Sequence, residues 1–130
     1  MAVPGMLMRI LIADDYEPLR EMLKALLETH AGWEVCGEAT DGREAVQKAA
    51  ELKPDVIILD LSMPTMDGVQ AANRISLDAQ GVPILIYTNY AISQEAKLEA
   101  KKHGIWDVIN KDAPSQLVRA IEAVQPQASR

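Results

Sequence analysis

A chain of 130 residues supports one domain, and with no Phe, 4% aromatic and 48% hydrophobic residues its core must be aliphatic, which suits helices layered on a sheet. Nineteen acidic against thirteen basic residues leave a net charge of −6. That balance argues against direct nucleic-acid binding, because phosphate contacts need clustered Lys and Arg.

Residues 1–7 read as a flexible extension without the form of a signal peptide. No apolar run approaches the ~20 residues that cross a bilayer, so no membrane partner is expected and the cytoplasm is the natural compartment. Ile10-Leu11-Ile12-Ala13 is an apolar run that stops at Asp14-Asp15. A carboxylate is expensive in an apolar layer, so the chain must surface there. Pro18 can open the next helix, and Leu19, Met22, Leu23, Leu26 and Leu27 follow on one helical face. Trp33 to Ala39 reads as a strand with partial alternation. Cys36 within it is a small core residue, and one cysteine with His30 and His103 gives neither an internal disulfide nor a zinc spacing. Asp41-Gly42-Arg43-Glu44 has the residue types of a capping box, Ala45, Ala49 and Leu52 mark a buried stripe, and Lys53-Pro54 stops that helix.

Val56-Ile57-Ile58-Leu59 is an unbroken apolar run, the mark of a strand buried on both faces in a parallel sheet. Asp60 ends it with a charge, and Pro64 with Asp67-Gly68 marks a loop. Val69, Ala72 and Ile75 carry a third helix, and Val82 to Tyr87 form another strand, ended by Thr88. From Ser93 to His103 the pattern is helical but poorly apolar, with Ile92, Ala96 and Ala100 on one side, so this helix is expected to be the least firmly anchored. Val108-Ile109 is a short last strand ending at Lys111, and Leu117, Ala120, Ile121 and Val124 stripe the final helix. The domain therefore spans residues 8–124, with residues 125–130 as a tail of linker composition.

The string is α/β, a (βα)₅ doubly wound five-stranded parallel sheet with right-handed crossovers. In the flavodoxin-like strand order 2-1-3-4-5, Asp14, Asp15, Asp60, Thr88 and Lys111 meet at the carboxyl edge, where such sheets form their sites. Three ionised carboxylates in one crevice repel strongly. Lys111 and a divalent cation bring them to neutrality, and an all-oxygen site suits Mg²⁺. With a phosphoryl donor held there, an aspartate can attack phosphorus and form an acyl phosphate. Singly, each residue has a plainer reading: Asp15 or Asp67 as a helix cap, Lys111 as a solvated charge, Thr88 as a β-former. His30 and His103 read as surface residues, and Lys101-Lys102 as a solvated helix face.

The Asp14-Asp15 pair, Asp60-Leu61-Ser62-Met63-Pro64 with Asp67-Gly68, Thr88 and Lys111 together resemble the receiver domains of bacterial two-component response regulators. The resemblance implies a phosphorylation-dependent signalling switch, not an enzyme beyond promoting its own phosphorylation and slow dephosphorylation. Asp60 would be the phosphoacceptor, charged by a histidine kinase or phosphotransfer protein. Asp15, Asp60 and the backbone carbonyl of Ser62 would bind Mg²⁺, and Asp14 would do so through water. Thr88 would hydrogen-bond the phosphoryl group and Lys111 would pair with it. Lys111-Asp112-Ala113, in place of the commoner Lys-Pro, is similar to the subgroup whose receivers precede a helix-turn-helix DNA-binding domain, and a phosphorylation-dependent homodimer belongs to the same expectation. Two rivals stand beside it. A pseudo-receiver would keep the fold as a binding module, though such modules typically lose an acid or the lysine. A phosphohydrolase of the haloacid dehalogenase type needs a second Asp where this chain has Ser62.

The chain departs from the pattern at Asn89, where Ala or Gly is usual, and at Val108, where an aromatic is usual. A bulky Tyr90 is expected to obstruct in-line attack by water on the acyl phosphate. Trp106, by strand parity with Val108, is expected to supply the missing bulk on the output face.

Overall fold

The computed structural model describes residues 7–79 and 81–124, so the expectations for residues 1–6 and 125–130 lie outside the described residues. The elements are β1 (Met8–Ala13), α1 (Glu17–Leu27), β2 (Trp33–Ala39), α2 (Gly42–Leu52), β3 (Val56–Leu59), α3 (Gly68–Asp78), β4 (Ile84–Thr88), α4 (Gln94–Lys102), β5 (Ile105–Asn110) and α5 (Pro114–Glu122). All strands pair in parallel in the order β2-β1-β3-β4-β5, as expected. Among the described residues, no helix is long and apolar enough to cross a membrane.

The alternation of side chains along a strand sorts the core into two layers. Leu11, Ala13, Ile57, Leu59, Ile84 and Ile86 face the alanines of α2 and α3, whose small side chains let both helices lie close to the sheet. Ile10, Ile12, Val56, Ile58, Leu85 and Tyr87 face the larger Leu23, Leu27, Leu117 and Ile121 of α1 and α5. All four residues of β3 are buried. Each such side chain contributes roughly 2 kcal/mol on burial, which makes the strand leading to Asp60 hard to shift.

Local chemistry sets the helix starts. The Asp41 carboxylate accepts the Glu44 N–H at 2.7 Å, as expected, but the Glu44 carboxylate reaches back to the Thr40 N–H at 2.6 Å, one residue further than a capping box. That bond, chiefly, holds the Glu44 carboxyl below its ordinary pKa. The reciprocal box forms instead at α3, between Asp67 and Gln70. Lys53 ends α2 in the left-handed region, with φ of 49°.

Three apolar stripes differ from expectation. Met22 faces solvent and Arg20 takes a buried place on α1 beside Leu23 and Leu27. On α3, Val69 is exposed while Ala71 joins Ala72 and Ile75 inside. Ala96 is exposed, and α4 buries no residue fully, so it is even less anchored than its sequence suggests. β4 begins at Ile84, because Pro83 has no N–H to give a ladder, although its carbonyl accepts from Ile57 at 3.0 Å.

β5 is longer than the Val108-Ile109 pair and carries an irregularity. Ile84 pairs with Ile105 but Leu85 with Asp107, so Trp106 is an extra residue in the ladder. One inserted residue reverses the alternation. Ile105 and Val108 consequently share one layer, and Trp106, half-exposed near the amino end of β5, is the extra residue between them and lines a cleft with Ser76 and Lys101, so the two-residue spacing of Trp106 and Val108 does not by itself fix a shared face.

Candidate functional site

Main-chain bonds bring the strand tips level. The Asp60 N–H donates to the Ala13 carbonyl at 2.9 Å, the Asp14 N–H to Ala39 at 3.0 Å and the Lys111 N–H to Thr88 at 2.8 Å. The five expected residues therefore stand at one edge of the sheet. Asp14, Asp60 and Thr88 are buried, Asp15 is exposed, and Lys111 lies between. Oxygens of Asp14, Asp15 and Asp60 lie within 4.8 Å of one another. The Lys111 Nζ stands 2.8 Å from Asp14 Oδ2 and 3.3 Å from Asp60 Oδ1. Ser62, two residues past Asp60, is exposed on the loop before α3.

The electrostatics follow from this placement. Burial, and then the Asp14 charge, push the Asp60 carboxyl above its ordinary pKa, against the pull of Lys111. Burial works against the Lys111 charge, but its hydrogen bond and attraction to Asp14, and then to Asp60, outweigh that and raise its pKa. Two unit charges of like sign this close repel by roughly 3 kcal/mol at the effective dielectric of a protein surface. One ammonium therefore leaves the cluster short of positive charge, and a hard cation with oxygen ligands suits it.

The surrounding chain holds these groups in place. The Tyr16 N–H donates to Asp14 Oδ1 at 2.9 Å. The Gly68 N–H donates to the Leu61 carbonyl at 2.9 Å, and a Cβ at Gly68 would collide with the Asp60 carbonyl. A Cβ at Gly42 would likewise strike the Met66 backbone, so α2 abuts the loop that follows Asp60. Thr88 Oγ1 accepts the Tyr90 N–H at 3.1 Å, which leaves the hydroxyl proton to be donated elsewhere. Asn89 and Tyr90 are exposed beside it.

Two contributors escape the sequence reading. Arg20 donates to the Asp14 carbonyl at 2.7 Å and pairs with Glu38 at 3.1 Å, tying the first acid to β2. A charge at the helical position of Leu23 and Leu27 was the available signal. Tyr87, read as strand core, also donates its hydroxyl to the Lys111 carbonyl at 3.1 Å. Nothing in the sequence says which carbonyl it meets.

Comparison with known proteins agrees with this geometry. The family model described as "Response regulator receiver domain" matches residues 10–122. The chemotaxis protein CheY of Thermotoga maritima is 44% identical over 118 residues, covering 89% of this chain and 96% of CheY. The response regulator protein VraR of Staphylococcus aureus is 40% identical over 90 residues, covering 69% of this chain but only 43% of VraR. The crystal structure of the response regulator domain of Thermotoga maritima CheB superposes with a TM-score of 0.83 at 30% identity, covering 91% of this chain and 96% of that one. Because the family match runs from the first strand into the last helix and takes in every one of the five clustered residues, the chain belongs to the response regulator receiver domain family of two-component signalling.

Proposed function

We propose that this receiver switches by accepting a phosphoryl group on Asp60 from a histidine kinase or phosphotransfer protein. The observation that carries this reading is the Lys111 ammonium, 3.3 Å from Asp60 and 2.8 Å from Asp14, in a crevice of three carboxylates. An Asp60 oxygen forms the new bond to phosphorus as the donor's phosphoryl bond breaks and the departing group takes a proton from solvent. Lys111 pairs with the phosphoryl oxygens, and the Thr88 hydroxyl donates to one of them.

The oxygen-only donor set and the charge deficit fit Mg²⁺. Asp15, Asp60 and the Ser62 carbonyl would hold it, with Asp14 acting through water. Bound, it supplies positive charge to the phosphoryl oxygens. The acidic net charge supports a protein partner in place of nucleic acid, and a single cysteine with no membrane-length apolar run supports a cytoplasmic setting. The Lys111-Asp112-Ala113 sequence and the extra length of VraR support a helix-turn-helix output domain joined to residues 8–124, with dimerisation on phosphorylation as the readout.

Intact mass after incubation with acetyl phosphate and Mg²⁺ tests the assignment. One phosphoryl group should add to the parent, none to Asp60→Ala, and none after chelation of the metal. Incorporation that survives Asp60→Ala removes Asp60 from the role. A parent that stays unmodified points to a binding module, and sustained turnover of a phosphate monoester points to a phosphohydrolase.

A further inference from the structure

Lys111 lies one residue beyond β5, where the strand ladder has ended, yet its main chain is held at both ends. Its N–H donates to the Thr88 carbonyl at 2.8 Å, and its carbonyl accepts the Tyr87 hydroxyl at 3.1 Å. Two consecutive residues of β4 thus hold the two peptide groups that flank the Lys111 Cα. Tyr87 is 1% exposed and belongs to the core layer of Ile109, Leu117 and Ile121, so its ring cannot turn to another acceptor without opening that layer. Burial raises its pKa, which keeps the phenol a donor. Beyond Lys111 the chain has fewer constraints: Asp112 and Ala113 both hang from Asn110, and α5 begins without a side-chain cap. The direction in which the lysine side chain leaves the backbone is set by its two flanking peptides, and that hydroxyl holds the second of them.

We propose that Tyr87 is a positioning residue for phosphoryl transfer, its hydroxyl fixing the Lys111 peptide so that the ammonium stands between Asp14 and Asp60. The role rests on the phosphoacceptor reading of Asp60. A Phe would fill the same space and leave the Lys111 carbonyl without this donor, whereas 4-aminophenylalanine would restore an N–H to it.

The test compares the parent, Tyr87→Phe and a protein carrying 4-aminophenylalanine at position 87. Removing one oxygen leaves the ring in place, so the Phe variant keeps the fold. Its Lys111 carbonyl ¹³C resonance should move upfield. The maximal rate of phosphoryl incorporation from acetyl phosphate at saturating Mg²⁺ should fall about fivefold to tenfold, the size of one lost hydrogen bond. Mg²⁺ affinity should not weaken, because an ammonium held less closely to Asp14 and Asp60 leaves those carboxylates no poorer as ligands. The amino variant should recover the rate. A Phe variant as fast as the parent overturns the proposal, since the hydroxyl then only satisfies its own burial. A rate loss matched by weaker Mg²⁺ binding overturns it as well, because that pattern means a loosened site. A parent that takes up no phosphoryl group overturns the reading of Asp60, and this role with it.

Discussion

Asp60 is held in a form that the fold itself disfavours, and that has a consequence for stability. Its carboxyl is pushed up by burial and by Asp14, so the folded state binds the Asp60 proton more tightly than the unfolded chain does. The penalty is fully present above the folded pKa and fades as pH falls through it towards the ordinary aspartate value. Asp60→Asn should therefore raise the thermal midpoint at neutral pH by about 2–5 °C without Mg²⁺, and the gain should shrink on acidification; calorimetry across pH checks it. At Tyr90, 58% exposed with its N–H on Thr88, the expectation is shielding of the acyl phosphate. Tyr90→Ala should shorten the lifetime of the phosphorylated protein about threefold, roughly what 0.6 kcal/mol off a barrier gives, and decay at the parental rate or slower would end that idea. Acids at strand ends are legible in a sequence because charge interrupts an apolar run. Arg20 and Tyr87 are not legible in the same way, because each looks like a helix or strand residue until its distant carbonyl is known.

Among the elements, α4 is the outlier. It runs nine residues, none of them buried, is capped by Ser93, and its Glu99–Lys102 ion pair is exposed and so contributes little. Native-state hydrogen exchange should find its amides at least tenfold less protected than those of α5, whose Leu117 and Ile121 are fully buried. Equal protection would mean that packing on α4 is tighter than its burial implies. This weakness was readable from the scarcity of apolar residues between Ser93 and His103. The bulge at Trp106 was not, since the ladder's extra residue is decided by pairing with β4 and leaves no local mark. Strand parity does not carry across such an insertion, so the two-residue spacing of Trp106 and Val108 leaves their faces undetermined.

For the whole molecule, parallel pairing and the placing of the five residues at strand ends follow from a few facts of the sequence, apolar runs with polar ends and helices between them, whereas the strand order that brings those ends together leaned on the resemblance to receiver domains. The layered core also shows how differently the middle and the edges of the sheet are built. At the centre stand β1, β3 and β4, each paired on both sides; at the edges stand β2 and β5, each with one extra residue in its ladder, Cys36 and Trp106, and beside β5 lies α4, which buries no residue. Under one load, stiff and compliant parts in series share the force but not the displacement, most of which falls to the compliant part. A load applied at Asp60 should therefore displace the doubly paired centre least and α4, which buries no residue, most.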